Sequence, residues 1–389
     1  MLKERVAIAL SGGVDSAVSA FLLKRAGYDL VGVHMINWDP VEEGTSQCTR
    51  TVDEADAKEV ARKLKIPFET VNFVKEYWNE VFVGMVENYR RGRTIVPDIA
   101  CNRHIKFRHL HDFAIKKLGA KFIATGHYAT ISRSRSETKL LTAVDRLKDQ
   151  TYFLCTLSQL QLGQAIFPLG SLTKPIVKRI AREQGFDDVS RKPESMGICF
   201  VGKRNNFDEF MDQYTEPKKG DIVTLDGERL ATHSGVHHFT IGKRLHLHSS
   251  RMSHLKFFVG DIDVETNTVL ACAGTHNPYL FATEFSLENL HLISGKLIDS
   301  DAPLFCRIQR THEPIRCELR WNADTQQFHV RACLPFRAVA SGQMCVFYRQ
   351  RECLGGGEIG KVIENLHNLQ NFDRFPSRYE SSQKRIINV

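Results

Sequence analysis

The sequence predicts an α/β domain built on a doubly wound parallel sheet, followed by two mostly-β domains of which the last is barrel-like. Three observations predict this. The chain has 389 residues, room for two or three domains at roughly 100–200 residues each. Over about the first 200 residues, short apolar runs alternate with amphipathic stretches, the signature of βαβ units. Near Asn205 helical periodicity fades, and short alternating runs bounded by turn residues take over.

Taken in order, Val6–Leu10 predicts a strand, Ala17–Ala26 a helix and Leu30–Met35 the next strand. Asp53–Leu64 sets Ala57, Val60, Ala61 and Leu64 along one helical face, and Phe68–Val74 is again strand-like. Helices are expected over Glu76–Arg91 and Ile105–Leu118, a strand over Lys121–Thr125 and a further helix over Lys174–Gln184. Beyond Pro217-Lys218-Lys219-Gly220 the runs Asp221–Leu225, His238–Ile241 and Phe257–Val259 are short and alternating, and Gly355-Gly356-Gly357 is expected to close a last hairpin. The expected domains are residues 1–205, a small central β domain over 206–278 and a C-terminal β domain over 279–365. The polar tail, 366–389, is expected to be poorly ordered.

Hydrophobic residues at 42% and charged residues at 25% are ordinary globular composition and exclude a disordered or fibrous chain. No apolar run approaches the roughly 18 residues that a membrane span needs. Lys+Arg 53 against Asp+Glu 45 leaves a formal +8, which permits a polyanionic partner without identifying one. The cysteines are scattered, with no C-x-x-C pair, so a disulfide framework, a zinc ribbon, a thioredoxin-type pair and the commoner iron–sulfur spacings are not expected. No signal peptide or presequence precedes Val6, which suggests a reducing intracellular compartment.

Ser11-Gly12-Gly13-Val14-Asp15-Ser16 follows the first strand and opens the first helix. Adjacent glycines let successive N–H groups and the helix N-terminus face one anion, at the strand end where open α/β sheets bind ligands. Asp15 is ill placed to meet a phosphate directly, so a bridging Mg²⁺ is its natural role. The Walker lysine is missing, which excludes a kinase-type loop. The plain alternative is a polar turn with a serine cap.

Two thiols stand in marked settings. Cys101 ends the stretch Arg93–Ala100 and precedes the predicted helix Ile105–Leu118, with Arg103, His104 and Lys106 close by, a setting that lowers a thiol pKa. Cys199, between Lys192 and Lys203-Arg204, is the second. The alternative for any cysteine is a small buried hydrophobe, and Cys155 on its apolar stretch is the plainest case.

Ser11–Ser16 resembles the SGGxDS motif of N-type ATP pyrophosphatases. Together with Val31–Asp39, Val74–Asn79, Pro97-Asp98, Cys101-Asn102, Ile105–Phe107, Ala124–Tyr128, Lys148–Gln150, Glu194–Phe200, Phe336–Ala340, Gly342-Gln343 and Cys353–Gly357, it is similar to the tRNA-specific 2-thiouridylase family, most of all to its animal mitochondrial branch. The resemblance spans residues 5 to 362. It implies a sulfurtransferase that uses ATP and Mg²⁺ to adenylate the 2-oxygen of a wobble uridine and replaces that oxygen with sulfur. It further implies an ATP site at Ala9, Leu10, Ser11, Gly12, Gly13, Val14, Asp15, Ser16, Met35 and Gly126, with Asp15 as the residue for Mg²⁺. Cys199 would carry sulfur as a persulfide and Cys101 would act as nucleophile and resolving thiol. Either the persulfide attacks directly, or Cys101 releases hydrosulfide by forming a disulfide with Cys199.

On the RNA side, the resemblance puts Val96, Pro97 and Asp98 at the target base and Lys148, Asp149, Gln150, Arg310 and Thr311 on the anticodon loop of the tRNA. It implies a sulfur-relay donor, a reductant for the Cys101–Cys199 disulfide, mitochondrial placement and tRNAs for Lys, Glu and Gln; no membrane, zinc or iron–sulfur cluster is expected. The chain departs from the family at Thr94-Ile95-Val96-Pro97-Asp98, losing a proline and an amide beside the base, and at Thr240–His248, where a glycine-rich turn is replaced. His233, His237, His238 and His254 lie near that second departure, but without a clean zinc spacing. Another adenylating ATP pyrophosphatase, or an inactive RNA-binding relative, are the alternatives.

Overall fold

The computed structural model describes residues 4–38, 49–192, 207–247, 255–299 and 302–370. Apolar runs near the N-terminus form a parallel sheet of strands β1 (Arg5–Ala9), β2 (Asp29–Ile36), β3 (Phe68–Asn72), β4 (Phe122–Ala124) and, after the hairpin β5 (Ala129–Arg133) and β6 (Thr138–Thr142), β7 (Ala165–Ile166). Its order is β3-β2-β1-β4-β7. Alternate residues of β1 feed opposite cores: Ala7 and Ala9 face one cluster with Val31, Val33 and Phe82, while Val6 and Ile8 face the other with Leu30, Val18 and Ala61. Burial on both faces is the mark of a doubly wound sheet.

Helix α1 (Val14–Arg25) follows β1, and α2 (Thr49–Leu64) follows β2. The next two helices are longer than the periodicity predicts. Helix α3 covers 74–90 and α4 covers 97–118, each with an internal π-helical stretch, Trp78–Phe82 in α3 and Cys101–Leu110 in α4. Pro97 starts α4 because proline's fixed φ and missing N–H suit a first helical position. Helix α5 (Lys174–Glu183) starts from the Thr173-Lys174-Pro175 turn, and α6 (Phe207–Asp212) packs Phe210 and Met211 into the first core.

The rest is β. Strands β8 (Gly220–Thr224), β9 (Arg229–His233), β10 (Phe257–Asp263) and β11 (Thr268–Ala273) form a small sheet in the order β10-β11-β8-β9. Strands β12 (Phe281–Leu292), β13 (Leu304–Arg307), β14 (Ile315–Asn322), β15 (Gln327–Arg337), β16 (Met344–Arg349) and β17 (Glu352–Asn365) close into a six-stranded barrel through the β12–β17 pairing. Gly355, Gly356 and Gly357 lie inside β17 rather than in a turn, correcting the expected hairpin. There β17 is paired with both β12 and β16, and a Cβ on Gly355 would meet the His291 carbonyl at 2.2 Å. The chain continues past the barrel to residue 370, with Leu366 buried beside Leu280 and Phe281.

The barrel does not hang free of the first domain. The β5–β6 hairpin pairs with the outer edge of β17, Leu141 opposite Glu352 and Leu140 opposite Cys353. At the same seam Arg307 and Asp149 form a buried ion pair, 6% and 2% exposed. Tyr348 lies 2.7 Å from the guanidinium, the Thr151 hydroxyl donates to Asp149 at 2.8 Å, and the Ala143 N–H donates to the other carboxylate oxygen at 3.0 Å. Burial works against the charge on Arg307, yet Tyr348 and Asp149 hold its pKa above the ordinary value. Removing one partner of such a pair strands a buried charge, so Arg307→Ala should cost about 3–5 kcal/mol. A markedly lower urea midpoint for separation of the barrel from the first domain checks this.

Candidate active site

The loop 11–16 is shaped by its own side chains and by the walls around it. Ser16 accepts from the Ser11 N–H at 3.2 Å and donates to the Gly13 carbonyl at 2.9 Å, which leaves the loop curled over the start of α1. Gly12 has φ +75°, and a Cβ there would sit 2.4 Å from the Asp53 carbonyl, so only glycine lets the loop lie against α2. Gly126, just beyond β4, closes the other side: a Cβ on it would stand 2.9 Å from the Asp15 carbonyl carbon and the Ser16 nitrogen. Leu10 donates its N–H to Val33 at 2.8 Å, and the ring of His34 lies 2.8 Å from the Leu10 carbonyl. The expected nucleotide residues Ala9–Ser16, Met35 and Gly126 therefore gather at the carboxyl ends of β1, β2 and β4.

Sequence reasoning missed two residues of this loop. Lys174, at the first turn of α5, donates to both oxygens of Asp15 at 2.7 Å, and the Tyr128 hydroxyl donates to Asp15 Oδ1 at 2.9 Å. Lys174 is 8% exposed. It is a buried ammonium beside the candidate anion loop, which itself lacks a Walker lysine. No local signal marks it, because 159 residues separate Lys174 from Asp15; only the Thr173-Lys174-Pro175 helix start places it. The α5 N-terminus is in turn held by Asp145, whose Oδ2 accepts the Lys174 N–H at 2.9 Å.

The base-contacting candidates open α4. Pro97 is buried, Val96 and Asp98 are half-buried, and Cys101 is 4% exposed, one turn into the helix and at the start of its π-helical stretch. This corrects the loop setting expected for Cys101: the helix begins four residues earlier, and the thiol lies against an apolar core containing Ile99 and Ile105. π-Helical turns recur at functional sites because they re-aim side chains. Burial raises the pKa of the Asp98 carboxyl, against the opposing pull of the Lys106 charge. Burial, then the same Lys106 charge, holds His127 well below its ordinary pKa and keeps it neutral. The Phe107 and His127 rings, centroids 6.1 Å apart, pack α4 against the loop that carries Gly126. Cys199 lies outside the described residues; Lys192, the last residue described before it, is tied by ion pairs to Asp53 and Asp56 of α2 beside the Gly12 wall.

The remaining RNA candidates lie on two adjoining segments, 148–150 and 310–311. Arg310 donates to the Leu147 carbonyl at 2.5 Å, and Arg307 to the Arg310 carbonyl at 3.2 Å, so Arg310 and Thr311 adjoin the turn of Arg146 and Lys148. Asp145 Oδ1 accepts from the Leu147 and Lys148 N–H groups, both at 3.2 Å. Asp149 is sealed in its ion pair with Arg307, and its carboxylate is closed to an RNA contact. Gln150 accepts the Tyr128 N–H at 2.9 Å. Lys148 and Arg310 are both half-buried, and the turn 145–150 is bonded to α5 through Asp145 and to the Tyr128 backbone through Gln150.

Three family models match the chain: the tRNA methyl transferase HUP domain over residues 4–203, the tRNA methyl transferase PRC-barrel domain over 208–273 and the aminomethyltransferase beta-barrel domain over 282–359. Among relatives, the chain is 52% identical to "Probable mitochondrial tRNA-specific 2-thiouridylase 1" of Caenorhabditis elegans, over 93% of this chain and 100% of the relative. It is 41% identical to "tRNA-specific 2-thiouridylase MnmA" of Levilactobacillus brevis, over 94% and 98%. It is 40% identical to "Mitochondrial tRNA-specific 2-thiouridylase 1" of Gallus gallus, over 98% and 97%.

The Asp15–Lys174 pair makes a direct prediction. Lys174→Met keeps the length of the side chain and removes the charge, and should slow nucleotide turnover by on the order of 10²–10³. Single-turnover release of pyrophosphate measures it.

Proposed function

The chain belongs to the tRNA-specific 2-thiouridylase family, and from that premise we infer that it is a tRNA sulfurtransferase whose nucleotide loop activates a uridine oxygen for replacement by sulfur. The observation that carries this reading is the Ser11–Ser16 loop with the buried Lys174 on Asp15 at the carboxyl edge of the parallel sheet. A carbonyl oxygen is a poor leaving group. Transfer of AMP to it turns it into a good one, and the departing pyrophosphate needs cationic and N–H donors.

The loop residues Ser11–Ser16 would hold the phosphates of ATP, with Met35 and Gly126 on the adenosine side. Asp15, with the hydroxyls of Ser11 and Ser16 nearby, offers the hard oxygen donors that suit magnesium. Such an ion, bound with the nucleotide, would neutralise phosphate charge. Lys174 is placed to answer the same charge, and Tyr128 keeps Asp15 oriented whichever cation faces it.

On the base side, Val96, Pro97 and Asp98 would receive the flipped wobble uridine, since chemistry on a base requires taking it out of its stack. Burial raises the pKa of the Asp98 carboxyl there, against the pull of the Lys106 charge. Lys148, Arg310 and Thr311 would meet the anticodon loop, and the turn that carries them reaches the catalytic loop through Asp145 and Lys174.

The sulfur step balances as follows. The outer sulfur of a Cys199 persulfide bonds to C2, and AMP leaves with the original oxygen. The Cys101 thiolate then attacks the Cys199 sulfur, breaking the S–S bond, leaving thiouridine on the tRNA and a Cys101–Cys199 disulfide. Two electrons from a thiol reductant reopen the disulfide, and a persulfide donor reloads Cys199. The likeness to animal mitochondrial relatives supports placement in that organelle.

Cys101→Ser and Cys199→Ala should each abolish wobble 2-thiouridine, measured by mass spectrometry of tRNA nucleosides, while a first round of tRNA-dependent AMP transfer persists. Normal thiolation in either variant would contradict the assignment.

A further inference from the structure

The central β domain carries a cluster that the sulfur chemistry does not use. Asp212 ends α6, and His237 and His238 occupy the single 3₁₀ turn Val236–His238 that follows β9. The Nε2 atoms of both histidines converge on one oxygen of Asp212, at 2.8 Å for His237 and 2.7 Å for His238. All three donor atoms lie within 4.8 Å of one another. Consecutive side chains usually diverge, and here the turn brings them together with ring centroids 4.2 Å apart and planes at 66°.

The surroundings hold both rings in that pose. A Cβ on Gly235 would stand 2.3 Å from the His237 ring carbon Cε1 and 2.6 Å from its Nδ1, so the absence of a side chain lets the ring lie flat against the backbone. His238 Nδ1 lies 3.3 Å from the Ser234 hydroxyl, a partner that can hold the Nδ1–H tautomer once an ion replaces the Nε2 proton facing Asp212. His237 is 3% exposed, whereas the Asp212 side chain is 38% exposed.

We propose that Asp212, His237 and His238 form a binding site for a borderline divalent cation, zinc foremost, with a solvent molecule as the fourth ligand. Two imidazole nitrogens and one carboxylate oxygen are a recognised three-ligand set for tetrahedral zinc, with bonds of about 2.0–2.2 Å that space the ligand atoms roughly 3.4 Å apart. Each histidine nitrogen, now 2.7–2.8 Å from the Asp212 oxygen, needs to move from it by about 0.6–0.7 Å to reach that spacing. The spacing is invisible in the sequence because 25 residues separate Asp212 from His237. Such an ion would clip α6, whose Phe210 and Met211 sit in the first domain's core, to the central β domain.

The test uses the full chain, stripped of metal with a chelator and with its thiols alkylated so that cysteine cannot bind. Titration with Co²⁺, followed by its visible d–d bands, and with Zn²⁺ by calorimetry should show one site per chain with no sulfur charge-transfer band. Asp212→Asn and His238→Gln should each weaken uptake by about tenfold or more, and Zn²⁺ should raise the thermal midpoint of the wild type but not of the variants. No stoichiometric uptake by the alkylated wild type, or equal affinity in the wild type and both variants, would overturn the site.

Discussion

The carboxylate of Asp15 is the joint on which the catalytic edge depends. It sits at the first turn of α1 and accepts hydrogen bonds from Tyr128, just beyond β4, and from Lys174 at the head of α5. Three segments far apart in sequence are thereby locked around one loop. Lys174 is buried, and an ammonium left there without its carboxylate would carry a desolvation penalty of several kcal/mol, so the pair both organises the loop and keeps a cation at its edge. The glycines follow from the same constraint, since Gly12 and Gly126 let α2 and the β4 loop close to backbone contact with it.

A second buried pair, Arg307–Asp149, fixes the barrel on the catalytic domain. Between these two joints lies the turn of Asp145–Lys148. It is bonded to the α5 N-terminus through Asp145 and followed directly by Asp149 and Gln150, whose partners are Arg307 and the Tyr128 backbone. An RNA docking on Lys148 and Arg310 would press on a surface continuous with the residues that hold Asp15. The proposed RNA surface and the proposed nucleotide loop are thus joined by a short hydrogen-bonded path through Asp145 and Lys174.

The parallel sheet and the phosphate loop were legible because both are local: an apolar run, then Ser-Gly-Gly, then a helix. The barrel was legible as a change of period. Lys174 was not, because nothing near Thr173-Lys174-Pro175 distinguishes it from any lysine at a helix start. Cys101 lies within a helix rather than at the end of a loop, since a helix begun at Pro97 has no gap before Ile105 to mark it. Asp149 resembled a surface RNA contact and is sealed by an arginine 158 residues away. Gly355–Gly357 imitated a turn, whereas their small size serves the crowded seam of the barrel. In each case the deciding partner is distant in sequence, and local pattern carries no record of it.

The central claim is that the loop around Asp15 serves to transfer AMP onto the uridine oxygen. Its most direct measurement uses tRNA carrying ¹⁸O at C2 of the wobble uridine, the full chain, ATP and a persulfide donor, with AMP analysed by mass spectrometry. The account predicts that each 2-thiouridine formed delivers its ¹⁸O into the phosphate of AMP. Recovery of the label in water or in inorganic phosphate, with unlabelled AMP, would contradict it.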